Sequence, residues 1–125
     1  KKRNKMIGKN EWIIADGFMS PTASENYVSH EAVCVLNLSG RTAHIQLTIY
    51  FENRPPMGGF AAECESERTN HIRLDRIRNA AGEAIPHDVP YAVRVVSDQP
   101  IVVQHSRMDV SQPNMTLMTT IAYGG

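Results

Sequence analysis

Five histidines stand singly along a chain of 125 residues, and four of them sit where they could take part in chemistry. His71 and Arg73 form one His-x-Arg pair, and His105 and Arg107 form a second. His30 and His87 are each followed directly by a carboxylate, Glu31 and Asp88, while Gln104 and Asp109 flank the second His-x-Arg pair. Arginine supplies a planar fork of donors, and histidine and aspartate supply tunable donors and acceptors. Converging on one place, these residues suit an anionic or polyhydroxylated ligand. The competing reading makes each histidine a partly buried residue with a backbone partner, because most buried polar groups are satisfied structurally.

Enzyme signatures do not support a specific reaction. The chain has no G-x-S-x-G elbow, H-E-x-x-H, Walker loop or G-x-G-x-x-G. No His-x-His pair occurs, so no metal and no cofactor is expected. Cys34 and Cys64 are thirty residues apart without a C-x-x-C, which argues against structural zinc. Cys34 lies in an apolar run and reads as a small buried hydrophobe rather than a reactive thiolate. Two lone cysteines fit a reducing cytoplasm, although their spacing leaves a disulfide open. One enzymatic reading survives: a His/carboxylate pair acting as acid and base on a carbohydrate.

The elements that must position these residues are strands. From Thr42 to Glu52 the chain alternates, with Ala43, Ile45, Leu47, Ile49 and Phe51 on one face and Thr42, His44, Gln46, Thr48 and Tyr50 on the other. Further β-type runs are 12–16, 32–37, 59–65, 68–74, 91–97, 101–108 and 115–122. Ser39-Gly40, the Pro55–Gly59 stretch, Gly82, Pro86 and Asp98-Gln99-Pro100 separate them as turn chemistry. Only residues 73–81 suggest a helical turn. The expectation is an all-β fold, an antiparallel sandwich of about eight short strands with little helix. Alternation puts His71 with Arg73 on one side of its strand and His105 with Arg107 on one side of theirs. The two pairs are therefore expected on one sheet face, with His30, Glu31, His87 and Asp88 approaching from neighbouring segments.

A length of 125 residues and 42% apolar composition support a single globular core and argue against disorder. No apolar run approaches the ~20 residues of a membrane helix, and no apolar stretch follows the basic start, so neither a span nor a signal peptide is expected. Lys1, Lys2, Arg3, Lys5 and Lys9 make residues 1–10 a basic arm, most simply a solvated tail. Residues 11–125, the expected sandwich domain, carry eight basic residues against thirteen acidic ones, a net of −5. That balance does not suit a nucleic-acid binder.

The blocks at 12–17, 29–37, 86–88, 100–109 and 120–123 resemble, in order and spacing, the sensory rhodopsin transducer family. This is a family of small soluble prokaryotic proteins named for a photoreceptor partner. The similarity runs from Trp12 to Tyr123. It implies a β-sandwich that assembles as a homotetramer. It also implies a non-enzymatic, cytoplasmic signalling role, with binding of a small polar ligand, a sugar or related metabolite, and relay to a protein partner. A protein-only adaptor that docks a membrane receptor is the alternative. The positions matching the family's polar blocks are His30, Glu31, His71, Arg73, His87, Asp88, Gln104, His105, Arg107 and Asp109.

Overall fold

The computed structural model describes residues 6–21, 28–111 and 116–125. Eight strands form: β1 (Lys9–Phe18), β2 (His30–Asn37), β3 (Ala43–Phe51), β4 (Met57–Cys64), β5 (Arg68–Arg73), β6 (Pro90–Asp109), β7 (Thr116–Ile121) and β8 (Tyr123–Gly124). All their pairings are antiparallel. No helix occurs among the described residues. The stretch 73–81 holds one turn, in which the Arg76 and Ile77 amides both donate to the Arg73 carbonyl at 3.2 and 3.1 Å.

Two sheets share β6. Its first half lies between β3 and β1 in the order β4-β3-β6-β1-β8. Its second half lies between β2 and β7, with β5 beyond β2. The expected turn at Asp98-Gln99-Pro100 is instead the crossing point within a single strand of 20 residues. Pairing with β3 ends at Ser97 opposite Ile45, and pairing with β2 starts at Val102 opposite Leu36. Pro100 stands between, where its missing N–H costs neither ladder a bond. Asp98 replaces the departing strand, since its carboxylate accepts the His44 N–H at 2.8 Å.

Part of the stretch 1–10 belongs to this fold. Lys9 and Asn10 open β1, so the domain begins within the stretch expected to be a solvated arm. Gly8 adopts φ +116°, and a Cβ there would lie 2.6 Å from the Ile101 carbonyl oxygen. Only glycine lets the entry to β1 close on the crossing of β6.

The core lies on the inner faces of both sheets. Val33 and Val35 of β2, Ile45, Leu47 and Ile49 of β3, Phe60 of β4, Ile72 of β5 and Val93, Val95, Ile101 and Val103 of β6 belong to one buried cluster. The alternation of 43–51 runs as its sequence requires, with His44, Gln46 and Tyr50 exposed. Cys34 and Cys64 are both free thiols.

This face assignment is checked by two alanine variants. Leu47→Ala removes a fully buried side chain and is expected to cost about 2–5 kcal/mol in urea unfolding. Gln46→Ala, one position along and exposed, is expected to stay within about 0.5 kcal/mol of the parent.

Candidate functional site

The polar centre of the molecule is the Glu31 side chain, fully buried at the start of β2. Its carboxylate accepts four hydrogen bonds. Oε2 takes the Phe18 N–H at 2.9 Å and Arg107 Nε at 2.6 Å. Oε1 takes His105 Nε2 at 2.9 Å and the Tyr91 hydroxyl. Arg107 also reaches the Asp16 carbonyl at 3.3 Å. One carboxylate thus ties β1 to β2 and to both halves of β6.

Burial opposes ionisation of Glu31. The donors His105, Tyr91 and Phe18, together with the charge on His105, outweigh it and hold the carboxyl below its ordinary value. Burial first, then the charge and hydrogen bond of Glu31, push the Tyr91 phenol well above its usual range, so its hydroxyl stays a donor. Local sequence makes room for this contact. A Cβ on Gly17 would lie 2.5 Å from the Tyr91 ring, so glycine lets that ring pass across β1 to Glu31.

The expected convergence of the two His-x-Arg pairs does not occur. Residues directly opposite on antiparallel strands share a face. Val33 stands opposite both Ile72 and His105, which turns His105 inward with the core. Cys34 stands opposite both His71 and Gln104, and Ala32 opposite Arg73, which turns these residues to the outer face. His71 and Arg73 therefore lie across the sheet from His105 and Arg107.

The other expected residues occupy further places. Arg73 forks onto Asp75 at 2.7 and 2.8 Å. Burial works against ionised Asp75, but Arg73, helped by the charge of His30, keeps its carboxyl lowered. His30 Nδ1 donates to the Val28 carbonyl at 2.9 Å. His87 Nδ1 donates to the Ser20 carbonyl at 3.1 Å, and the Asp88 N–H donates to Met19 at 2.8 Å, so this loop pins the segment after β1. Asp88 takes φ 64°, a left-handed conformation that aspartate tolerates better than most residues. Asp109 accepts the Ser111 N–H at 2.7 Å, and the Ser111 side chain first, then this N–H, lower its carboxyl, with a smaller contribution from Arg107. Gln104 is exposed.

Two hollows border these elements. A slot of about 440 Å³ opens between β1 and β7, lined by Ile13–Asp16, His105 and Thr120–Tyr123. An open hollow of about 880 Å³ lies on the outer face of β4-β3-β6, where His44 sits 2.9 Å from Asp98 and 3.5 Å from Glu63. The hydrogen bond to Asp98 raises the His44 imidazole above its ordinary value. None of the ten residues selected from sequence lines this larger hollow. Tyr91, which sequence reading missed, carried a signal. It occupies the inward parity of 91, 93 and 95, and a buried tyrosine hydroxyl needs a partner.

Fold and site together define a small all-β module organised around a buried, fully hydrogen-bonded carboxylate. The chain belongs to the Anabaena sensory rhodopsin transducer family, whose model matches residues 7–124. It is 35% identical to Thermotoga maritima 1070, whose crystal structure superposes with a TM-score of 0.86 over 96% of this chain and 97% of that one. It is 36% identical to the Anabaena sensory rhodopsin transducer, with a TM-score of 0.74 over 86% of this chain and 94% of that one. None of the curated proteins matches the chain.

Glu31→Gln leaves one oxygen to accept and turns an amide toward donors. It is expected to cost about 3–5 kcal/mol, the usual loss when one member of a buried ion pair is removed. The lowered Glu31 carboxyl also sets a pH dependence. Its contribution is complete above the ordinary value of 4.5, declines as pH falls below it, and is gone once pH passes below the native value. Denaturant titrations from pH 7 to pH 3 are expected to show a shallower acid loss in the variant. Gly17→Ala is expected to cost about 1–3 kcal/mol by displacing the Tyr91 ring.

Proposed function

We propose that the chain is a non-enzymatic cytoplasmic signalling module of the transducer type. It binds a small polar ligand, assembles as a homotetramer and relays its state to a membrane receptor. The observation that carries this reading is family membership over residues 7–124, together with a solved relative that is itself a rhodopsin transducer. Glu31, Tyr91 and Arg107 then act as positioning residues that hold His105 in place. The exposed residues His71 and Gln104, with the partly buried Arg73, belong to a separate outer surface.

The acid–base alternative loses support from geometry. Glu31 and His105 lie within hydrogen-bond reach, but Glu31 is fully buried and already accepts four donors. A carboxylate so placed has neither access to a substrate nor a lone pair for its proton.

The assembly reading rests on β7. Every residue of this strand is exposed, including Leu117 at 69% and Ile121 at 63%, and the strand carries no charge, glycine or proline. Native edges usually carry such protection when nothing covers them.

Static light scattering at micromolar concentration is expected to give four times the 13.9 kDa chain mass. A Leu117→Asp, Ile121→Asp variant is expected to dissociate while keeping the parental β spectrum. A monomeric parent would remove the assembly from the proposal. The relay is tested by calorimetric titration with a sensory rhodopsin in lipid nanodiscs, in darkness and light. Saturable binding is expected, and its absence in both states would remove the rhodopsin as receptor.

A further inference from the structure

The slot between β1 and β7 has walls, a floor and a charge. Ile13, Ile14, Ile121 and Ala122 make it mainly apolar, and its volume of about 440 Å³ is within the range of small-ligand sites. Its floor includes His105, which is only 5% exposed and whose Nε2 is held by Glu31. At the rim stand Asp16, exposed and without an ion-pair partner among the described residues, and Tyr123, 74% exposed.

The charges about this floor do not cancel. Asp16 of β1 is the one carboxylate that lines the slot, and Glu31 of β2 lies behind its floor. Against them stands Arg107, which bonds both Glu31 and the Asp16 carbonyl. Tyr91 is held as a neutral donor, and β7 adds no charge. Arg107 is taken up by Glu31, and no described lysine or arginine lines the slot, so Asp16 stands unmatched at its rim. The partner chemistry that fits is a cation with an apolar body. Asp16 receives its ammonium, the Tyr123 ring offers a π face to the same charge, and the isoleucines cover the body.

We propose that this slot is a binding site for a small organic amine with an aromatic or branched apolar body. The inference rests on the reading that the chain binds a small ligand, and its test involves no receptor. It also explains why the slot ends on a histidine fixed from behind. Glu31 holds the imidazole by Nε2 and leaves Nδ1 as its other polar atom.

The test is calorimetric titration of the full chain with three isosteric probes: 2-phenylethylamine, 2-phenylethanol and phenylacetate. The amine is expected to saturate one site per chain, at least tenfold more tightly than the alcohol, with phenylacetate weakest. Asp16→Asn changes an exposed side chain and keeps the carbonyl that Arg107 uses, so the fold is retained. It is expected to bring the amine to within threefold of the alcohol. Ala15→Leu, which fills the slot from an exposed wall position, is expected to abolish binding of the amine and the alcohol. Equal or tighter binding of phenylacetate would overturn the proposal, as would no effect of Asp16→Asn, or no binding of the amine at all. Loss of amine binding with rhodopsin binding and tetramer mass intact would discard the slot alone. Loss of all three would discard the transducer reading as well.

Discussion

Placing a carboxylate between two sheets is costly unless every lone pair is used. Glu31 meets that condition with four donors drawn from two strands, β1 and β6. Desolvating a charge costs several kcal/mol, and a paired charge repays it only with good geometry and full hydrogen bonding. An apolar residue of similar size would stabilise the same space as well or better. What the carboxylate adds is direction. Phe18 N–H, Tyr91, His105 and Arg107 must each arrive at a particular oxygen, and this sets the phase of β1 and of both halves of β6 relative to β2. The bulge of β1 between Ile14 and Gly17 falls beside this contact. It brings the Phe18 amide and the Asp16 carbonyl into reach.

The shared strand β6 carries the same constraint along its length. Tyr91 lies in the half that pairs with β3, and His105 and Arg107 lie in the half that pairs with β2. Both halves end on one carboxylate, so the crossing between them must hold a fixed geometry. Pro100, the Asp98 carboxylate and the close approach of Gly8 to Ile101 supply that geometry without a helix or a long loop. The outer hollow lies beside the crossing, and its Asp98 is already engaged twice by His44. Its exposed ion pairs are largely screened. The slot differs in having Asp16 unmatched beside a floor that is nearly dry.

Much of this was legible in the sequence. The alternation of 43–51 gave one face correctly residue by residue, and the polar block at 29–31 contains the central acid. Two readings failed for identifiable reasons. Asp98-Gln99-Pro100 has turn chemistry, yet residues that end a ladder on one side and begin one on the other need the same tolerance for missing backbone bonds. The His-x-Arg pairs failed differently. Alternation fixes which residues share a side within a strand, but not which side meets the core. That information was present. His71 and Arg73 alternate with Ile72 and Leu74, and so point outward. His105 continues the inward parity of Ile101 and Val103. Treating the apolar partners as the reference, rather than the similarity of the two motifs, separates the pairs. The four donors on Glu31 and the slot at its edge depend on pairing between distant strands, which no local pattern contains.

The C-terminal strands join these features. Thr120–Tyr123 form one wall of the slot, and the same stretch continues β7, whose outer edge no described strand covers. Ala122 is anchored to Val103 at 3.1 Å, two residues before His105. Anything seated in the slot presses on the strand that a second copy would cover, and anything covering that strand restricts the slot. Linkage makes the effect reciprocal: occupancy that shifts assembly must be shifted by assembly to the same degree. The rigid side of this coupling is the Glu31 cluster, which holds β1 and β6 in fixed phase. The side able to respond is β7, which among the described strands pairs with β6 alone and whose residues are all exposed. The proposed relay of ligand state would need that division between a fixed frame and a lightly held edge, and the two meet at His105, opposite Thr120 of β7.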